Sequence, residues 1–226
     1  MQQQLVSDIE RYVLEAPVLT TFALTITGGG GHVGKFSAAL EGGVSLLMKP
    51  LCTNHDAGLA EVAAWRVASM LEWNHMLPIT VLRPMRCPTH NKIEMVAGQL
   101  LMPSYDDHPN ASAFSDDDIW HAAIFDEIVC QSDRLTQNWL GVPATSQSQQ
   151  RLVLIDNGYS FGCGGSARQS IFTNMKVGVE IPEKYKLDIA EFMRRRPHDL
   201  TNLIHPKRIA ECRDRAQNLL NNGRIQ

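Results

Sequence analysis

Asp133 and Asn138 are separated by four residues, and Asp156 opens an Asp156-Asn157-Gly158 turn one predicted hairpin later. Phosphoryl transfer asks little covalent chemistry of a protein. It needs a carboxylate to orient or deprotonate the acceptor hydroxyl, and oxygen ligands to hold Mg²⁺ against the phosphates. Asp133 suits the first task, and Asn138 with Asp156 the second. A cation must also grip the phosphate oxygens, and Lys49 ends a predicted strand upstream. That lysine needs an anion to fix it, and Glu61 is the odd charge in the apolar first half of the next predicted helix. Singly, each residue has an ordinary explanation: a solvated strand end, a surface helix position, a common Asx turn. Their order along the chain points to nucleotide chemistry.

Upstream of Lys49 lies a run of glycines, Gly28 to Gly31, followed by Gly34-Lys35. Gly29-x-x-x-x-Gly34-Lys35 has Walker A spacing, but the next residue is Phe36 where magnesium binding requires Ser or Thr. A Walker loop also opens a helix, whereas the sequence that follows reads as a hairpin. The alternative is a glycine-rich flap whose backbone amides cover phosphates. Glycine content alone favours a turn that binds nothing; the downstream residues favour the flap.

These residues need elements to hold them. Residues 18–27 are Thr-rich and apolar and read as a strand. Residues 36–40 and 44–47 form a hairpin about Glu41-Gly42-Gly43, closed by Pro50. Residues 7–13 fit either a helix, by the Ser7/Glu10 capping-box spacing, or an edge strand. Residues 56–72 are Ala- and Leu-rich and predict a helix packed on several sides. Pro78 and Pro84 bracket a short strand over 79–82, and a further strand spans 93–101. Residues 103–113 mark the change from a strand-rich half to a helical half. Ser115 caps a helix whose first turn carries Asp116, Asp117 and Asp118, and residues 119–129 supply its apolar face. Strands over 139–142 and 152–155 flank a Ser/Gln-rich turn, and helices follow near 182–196 and 206–221.

The segment IFDEIVCQSDRLTQNWLGV, with the later RLVLIDNGYSF, resembles the core of the HipA-like kinases, which pair an FD-x-L-x-x-N-x-DR-T-x-x-N stretch with LIDHG. The upstream GGGGHVGKF and LLMKP are similar to their N-lobe. The D-R-x-x-x-N and I-D-x-G motifs are also similar to those of phosphatidylinositol 3- and 4-kinases. The resemblance covers residues 28–161. It implies an α+β, bilobal protein-kinase-like fold with a small β-rich N-lobe and a mainly helical C-lobe, a single kinase-like domain divided as 1–103 and 104–226. ATP and Mg²⁺ would lie between the lobes. Lys49 would bind the α- and β-phosphates, Glu61 would pair with it, and Asp133 would be the base. Asn138 and Asp156 would hold the metal, and Gly30, Gly31, Gly34 and Lys35 would line the phosphates. The strand ending near Leu101 would be the hinge beside adenine. Asp126 repeats the family's FD, as a support for the catalytic loop or as an exposed helix residue. Two departures leave the acceptor site open: Asn157 stands where the motif has His, and Leu135 and Gln137 stand where relatives are more polar or basic.

Composition sets the outer bounds. The 226 residues are 44% hydrophobic and 20% charged with a net charge of −3, which suits a globular chain and argues against a dominant grip on nucleic acid or anionic membrane. No apolar stretch is long enough to span a bilayer, and the N-terminal residues lack a basic and apolar leader pattern. The five cysteines form no C-x-x-C pair, which favours thiols in a reducing, cytoplasmic setting. The eight histidines show no H-E-x-x-H, so zinc is not expected. The expected activity is ATP/Mg-dependent transfer of the γ-phosphate to a hydroxyl, most simply of a serine or threonine in a protein substrate. The alternatives are a catalytically silent nucleotide-binding module, or a lipid or small-molecule kinase.

Overall fold

The structure is a computed structural model and describes residues 2–23, 35–88, 91–102, 106–107, 109–135, 138–143, 150–162 and 169–226. Helix α1 (Gln2–Glu15) opens the chain, so the capping-box spacing at Ser7 and Glu10 sits within a helix rather than an edge strand. Val13 and the following Ala16 are buried, and Val6 and Tyr12 pack on the core. Its C-terminal carbonyls, which a helix leaves unpaired, are met by Arg83. The Arg83 Nη1 donates to Val13 O at 2.7 Å and Nη2 to Ala16 O at 2.9 Å.

Five strands follow: β1 (Val18–Ala23), β2 (Phe36–Leu40), β3 (Ser45–Pro50), β4 (Thr80–Arg86) and β5 (Ile93–Leu100). They form one antiparallel sheet in the order β1-β2-β3-β5-β4. The β2–β3 hairpin turns through Gly42 and Gly43 at φ +91° and +83°, where a side chain would be strained. Along β2, buried Phe36, Ala38 and Leu40 alternate with half-buried Ser37 and Ala39, the pattern of a strand with one face on the core.

One expectation needs correcting here. Strand β4 does not stop at Leu82 before Pro84; it runs on to Arg86, with Pro84 paired to Met95. β4 is an edge strand, where a residue without an N–H need not break a ladder.

Helix α2 (His55–Met70) lies between β3 and β4 in sequence. The Asn54 side chain caps it by accepting from Ala57 N, and ten of its sixteen residues are buried, Glu61 among them. Helix α3 (Asp116–Val129) is capped by Ser115, whose Oγ accepts from Asp118 N at 3.1 Å. A second antiparallel sheet joins β6 (Asp106–Asp107), β7 (Trp139–Pro143) and β8 (Gln150–Leu154) in the order β6-β7-β8. Helices α4 (Ile171–Lys176), α5 (Glu183–Arg194) and α6 (Pro206–Asn222) complete the chain. Neither β6 nor α4 was expected: β6 is two residues defined by its pairing with the distant β7, and α4 is only six residues long.

A continuous buried cluster runs from Phe36, Leu46 and Met48 of the larger sheet, through Trp65 and Val67 of α2, to Phe125, Phe192 and Leu219 of α3, α5 and α6. The fold is α+β and bilobal, β-rich at its N-terminal side and helical at its C-terminal side. α2 packs on both.

Candidate active site

Lys49 stands on β3 opposite Ala97 of β5. Its ammonium meets Glu61 Oε1 of α2, and Asp156 Oδ1 at 3.0 Å. The other oxygen of Glu61 accepts from Asn157 N at 3.0 Å. One glutamate on α2 thus joins the strand lysine to the turn after β8. Asp156 adopts a left-handed backbone, φ 53° and ψ 60°, which a short polar residue tolerates better than most. The approach of α2 to this turn is tight: a Cβ on Gly158 would lie 3.1 Å from Ala57 Cβ. Lys35, just before β2, reaches Asp156 Oδ2 at 3.5 Å.

Charge and burial act against each other in this cluster. Burial lowers the Lys49 pKa, but Glu61 and Asp156 outweigh it and hold the ammonium above its ordinary value. For Asp156, burial favours the neutral acid, yet Lys49 and Lys35 hold the carboxyl well below the usual carboxylate range. Glu61 moves the other way, pushed up by burial with Lys49 opposing. Burial, and then the charge of Lys49, lower Lys35. Lys49 stays charged, and Asp156 is its ionised partner.

The loop after α3 is built from its backbone outward. Gln131 is buried; its Oε1 accepts from Asp133 N at 3.1 Å, and its Nε2 donates to Asp156 O at 3.5 Å. Ser132 donates through both N and Oγ to Tyr159 O, at 3.3 and 3.0 Å. Asn138 Nδ2 donates to the Asp133 carbonyl, and to Asp133 Oδ2 at 3.3 Å, so its oxygen is the atom left to ligate a cation.

Arg134 holds the two loops together. Its side chain is fully buried and pairs with Asp126 of α3 at 3.0 Å. Nη1 donates to Asn138 O at 2.8 Å and Ile155 O at 2.5 Å, and Nη2 to Asn157 Oδ1 at 2.6 Å. Asp126 also accepts from Ser170 Oγ at 2.7 Å. Of the two placements the sequence leaves for Asp126, the structure shows the buried support. Arg134 is the arginine of the D-R-x-x-x-N motif, but its role as the link between the loops was not legible there, and Gln131 and Ser170 carried no sequence signal.

The structure thus brings together Lys35, Lys49, Glu61 and Asp156 in one contact cluster, and Asp133 with Asn138 in another. Ile155 N, which donates to Asn138 O at 3.0 Å, and the Arg134 and Gln131 side chains link the two clusters. Leu101 follows β5, is partly exposed, and donates its N–H to Ser45 O at 2.9 Å. Gly30, Gly31 and Gly34 lie outside the described residues. Among the described residues no group of three or more His, Cys, Asp or Glu could hold a metal. The donors at hand are the carboxylate of Asp156 and the amide oxygen of Asn138. Such hard oxygen donors suit Mg²⁺ or Mn²⁺, ions that take their remaining ligands from water and phosphate.

No family model matches the sequence, and no curated protein sequence matches it. Solved structures do match. The Golgi casein kinase with Mn and ADP bound is similar with a TM-score of 0.69 at 14% identity, over 97% of this chain and 75% of that one. A second crystal structure of the Golgi casein kinase gives 0.66 at 13% identity, over 96% and 74%. The Helicobacter pylori proinflammatory kinase CtkA gives 0.49 at 9% identity, over 94% and 95%. The likeness to the Golgi casein kinase shows that the fold is protein-kinase-like. No helix among the described residues is long and apolar enough to cross a membrane.

Proposed function

We propose that this chain is an ATP- and divalent-metal-dependent phosphotransferase, a HipA-like kinase that phosphorylates serine or threonine hydroxyls of a protein substrate in the cytoplasm. The observation that carries the proposal is Lys49, held at once by Glu61 and by Asp156 from 107 residues away. A structural ion pair needs one carboxylate; a phosphate-binding lysine beside a metal-binding aspartate needs both.

When bound, ATP supplies the phosphoryl group and the metal neutralises its β- and γ-oxygens. The chain supplies the positioning. Glu61 and Asp156 take two of the three Lys49 donors, and the third would meet the α- and β-phosphate oxygens. Asn138 and Asp156 are the residues that would hold the ion. Asp133, set by Gln131 and Asn138, accepts the proton of the attacking hydroxyl. By the resemblance, Gly30, Gly31, Gly34 and Lys35 would line the phosphates, and the chain at Leu101 would run beside adenine. Mg²⁺ is the expected ion.

The test is transfer of labelled γ-phosphate to the protein itself and to a cell lysate, with nucleotide binding followed by thermal shift. Asp133→Asn should lower transfer by about 10²–10⁴-fold, the usual contribution of a general base, while retaining nucleotide binding. Asp156→Asn should abolish transfer and weaken metal–nucleotide binding. A protein that binds metal–ATP but transfers to no acceptor would be a silent module instead.

A further inference from the structure

Asp156 faces two lysines. Lys49 meets Oδ1 at 3.0 Å and Lys35 meets Oδ2 at 3.5 Å, with both lysine side chains largely shielded, 11% and 18% exposed. They arrive from different strands, Lys49 within β3 and Lys35 at the entry to β2, so the carboxylate has an ammonium on each oxygen. Counted at their formal charges, with Glu61 on Lys49, the four side chains sum to zero. Without Lys35 they would sum to −1.

That difference decides what a polyphosphate needs on entering. A cleft with one lysine, its paired glutamate and a metal-binding aspartate is net negative, and two divalent ions balance the incoming phosphates in the protein-kinase arrangement. Here one of those positive charges is already present, tethered to the chain beside Asp156. An ammonium carries three donors, so Lys35 can keep one on Asp156 and give others to phosphate oxygens. A tethered ammonium also has no hydration shell to shed in full and is not diluted away.

We propose that Lys35 is a built-in cation, and that the site binds a nucleoside di- or triphosphate in its metal-free form. This role presupposes the nucleotide site proposed above. Metal remains necessary for transfer, held by Asn138 and Asp156, but binding does not require it.

The experiment measures ADP binding by calorimetry and thermal shift, in excess EDTA and in Mg²⁺, for the intact chain, Lys35→Met and Lys35→Arg. The intact chain should bind ADP in EDTA. Lys35→Met should weaken that binding by about ten- to a hundredfold, the loss expected for a charge-assisted hydrogen bond, and weaken binding in Mg²⁺ by much less. Lys35→Arg should retain most of the binding in EDTA, which separates charge from shape. The melting temperature of each variant without ligand shows that it is folded. Binding of ADP only when Mg²⁺ is present overturns the role of Lys35 and leaves the nucleotide site standing. So does an equal loss in both conditions for Lys35→Met. No ADP binding in either condition overturns the nucleotide site itself.

Discussion

Arg134 and Asp126 form an ion pair with no solvent exposure on either side chain, 3.0 Å between Nη2 and Oδ1 and 3.2–3.3 Å from Nε to the two carboxylate oxygens. Burying two charges is costly unless every donor and acceptor is met. Here the guanidinium spends its other bonds on Asn138 O, Ile155 O and Asn157 Oδ1. The pair therefore sets the spacing between the loop bearing Asp133 and the turn bearing Asp156.

Removing one member should show this directly. Arg134→Met leaves the buried Asp126 carboxylate without its counter-charge and takes the arginine's bonds from Asn138 O, Ile155 O and Asn157 Oδ1, and should cost about 3–5 kcal/mol, a fall of roughly 6–20 °C in melting temperature for a chain of this size. Converting Asp126 to Asn in the same background should recover part of the loss, since the stranded charge is gone. A melting temperature within 2 °C of the parent, about 1 kcal/mol or less, would show that the two loops are held by other contacts.

Glu61 and Lys49 should separate stability from activity. Glu61→Gln keeps an oxygen for Asn157 N and removes a carboxylate that burial disfavours. Lys49 retains Asp156 as its partner. The melting temperature should change little, while γ-phosphate transfer falls by about ten- to a hundredfold through loss of a charge-assisted bond. Lys49→Met should do more damage, because Glu61 and Asp156 are then left close together with only Lys35 opposing. Its thermal loss should exceed that of Glu61→Gln. The reverse order would mean that Lys49 is not the group holding the two carboxylates.

Much of the frame was legible because its signals are local. Ser115 followed by three aspartates marks the start of α3, and Gly42-Gly43 marks the hairpin before Lys49. The order of Lys49, Glu61, Asp133, Asn138 and Asp156 was also on the surface of the sequence. What was hidden depends on contacts between distant residues. Strand β4 passes Pro84 because it lies at a sheet edge, a fact of topology rather than of propensity. Asp126 is buried because Arg134 and Ser170, 8 and 44 positions further on, converge on it. Gln131 reads as an ordinary polar loop residue until the fold brings Asp156 O to its amide. Helix α4, a turn and a half long, has too short a period to announce itself.

The contact between α2 and the Asp156 turn has its own test. Gly158 does not lie in the left-handed region, so alanine is admissible to the backbone. Its Cβ would nevertheless meet Ala57 Cβ at 3.1 Å and Ala57 O at 3.4 Å. Because Ala57 is on the first turn of α2, the clash pushes that helix, and Glu61 with it, away from Asn157. Gly158→Ala should cost about 1–3 kcal/mol by overpacking and lower transfer. Ala57→Gly in the same chain removes one of the clashing atoms and should restore part of both. Transfer and melting temperature unchanged in the single variant would show that α2 can move freely against the turn.

Acid should destabilise the helical side of the molecule through His121. This α3 residue packs edge-on against Trp73, Tyr185 and His75, with ring centroids at 4.7, 5.1 and 5.2 Å. Burial, and then the charges of His75 and Lys184 against that of Asp117, lower it to about 4 from its ordinary 6.5. His75 is lowered as well, by burial and by Arg151. The unfolded chain therefore binds the proton first. The stability due to neutral His121 is complete above pH 6.5, declines as pH falls below that, and is fully lost once pH passes about 4. Glu61, raised by burial, works in the opposite direction as pH falls. The diagnostic quantity is therefore the difference between the parent and His121→Gln, in which the histidine term is absent. Between pH 7 and 5 the parent should lose about 1–2 kcal/mol more than the variant, read as a steeper fall of melting temperature with pH. Parallel curves for the two proteins would mean that His121 titrates in the fold as it does in water.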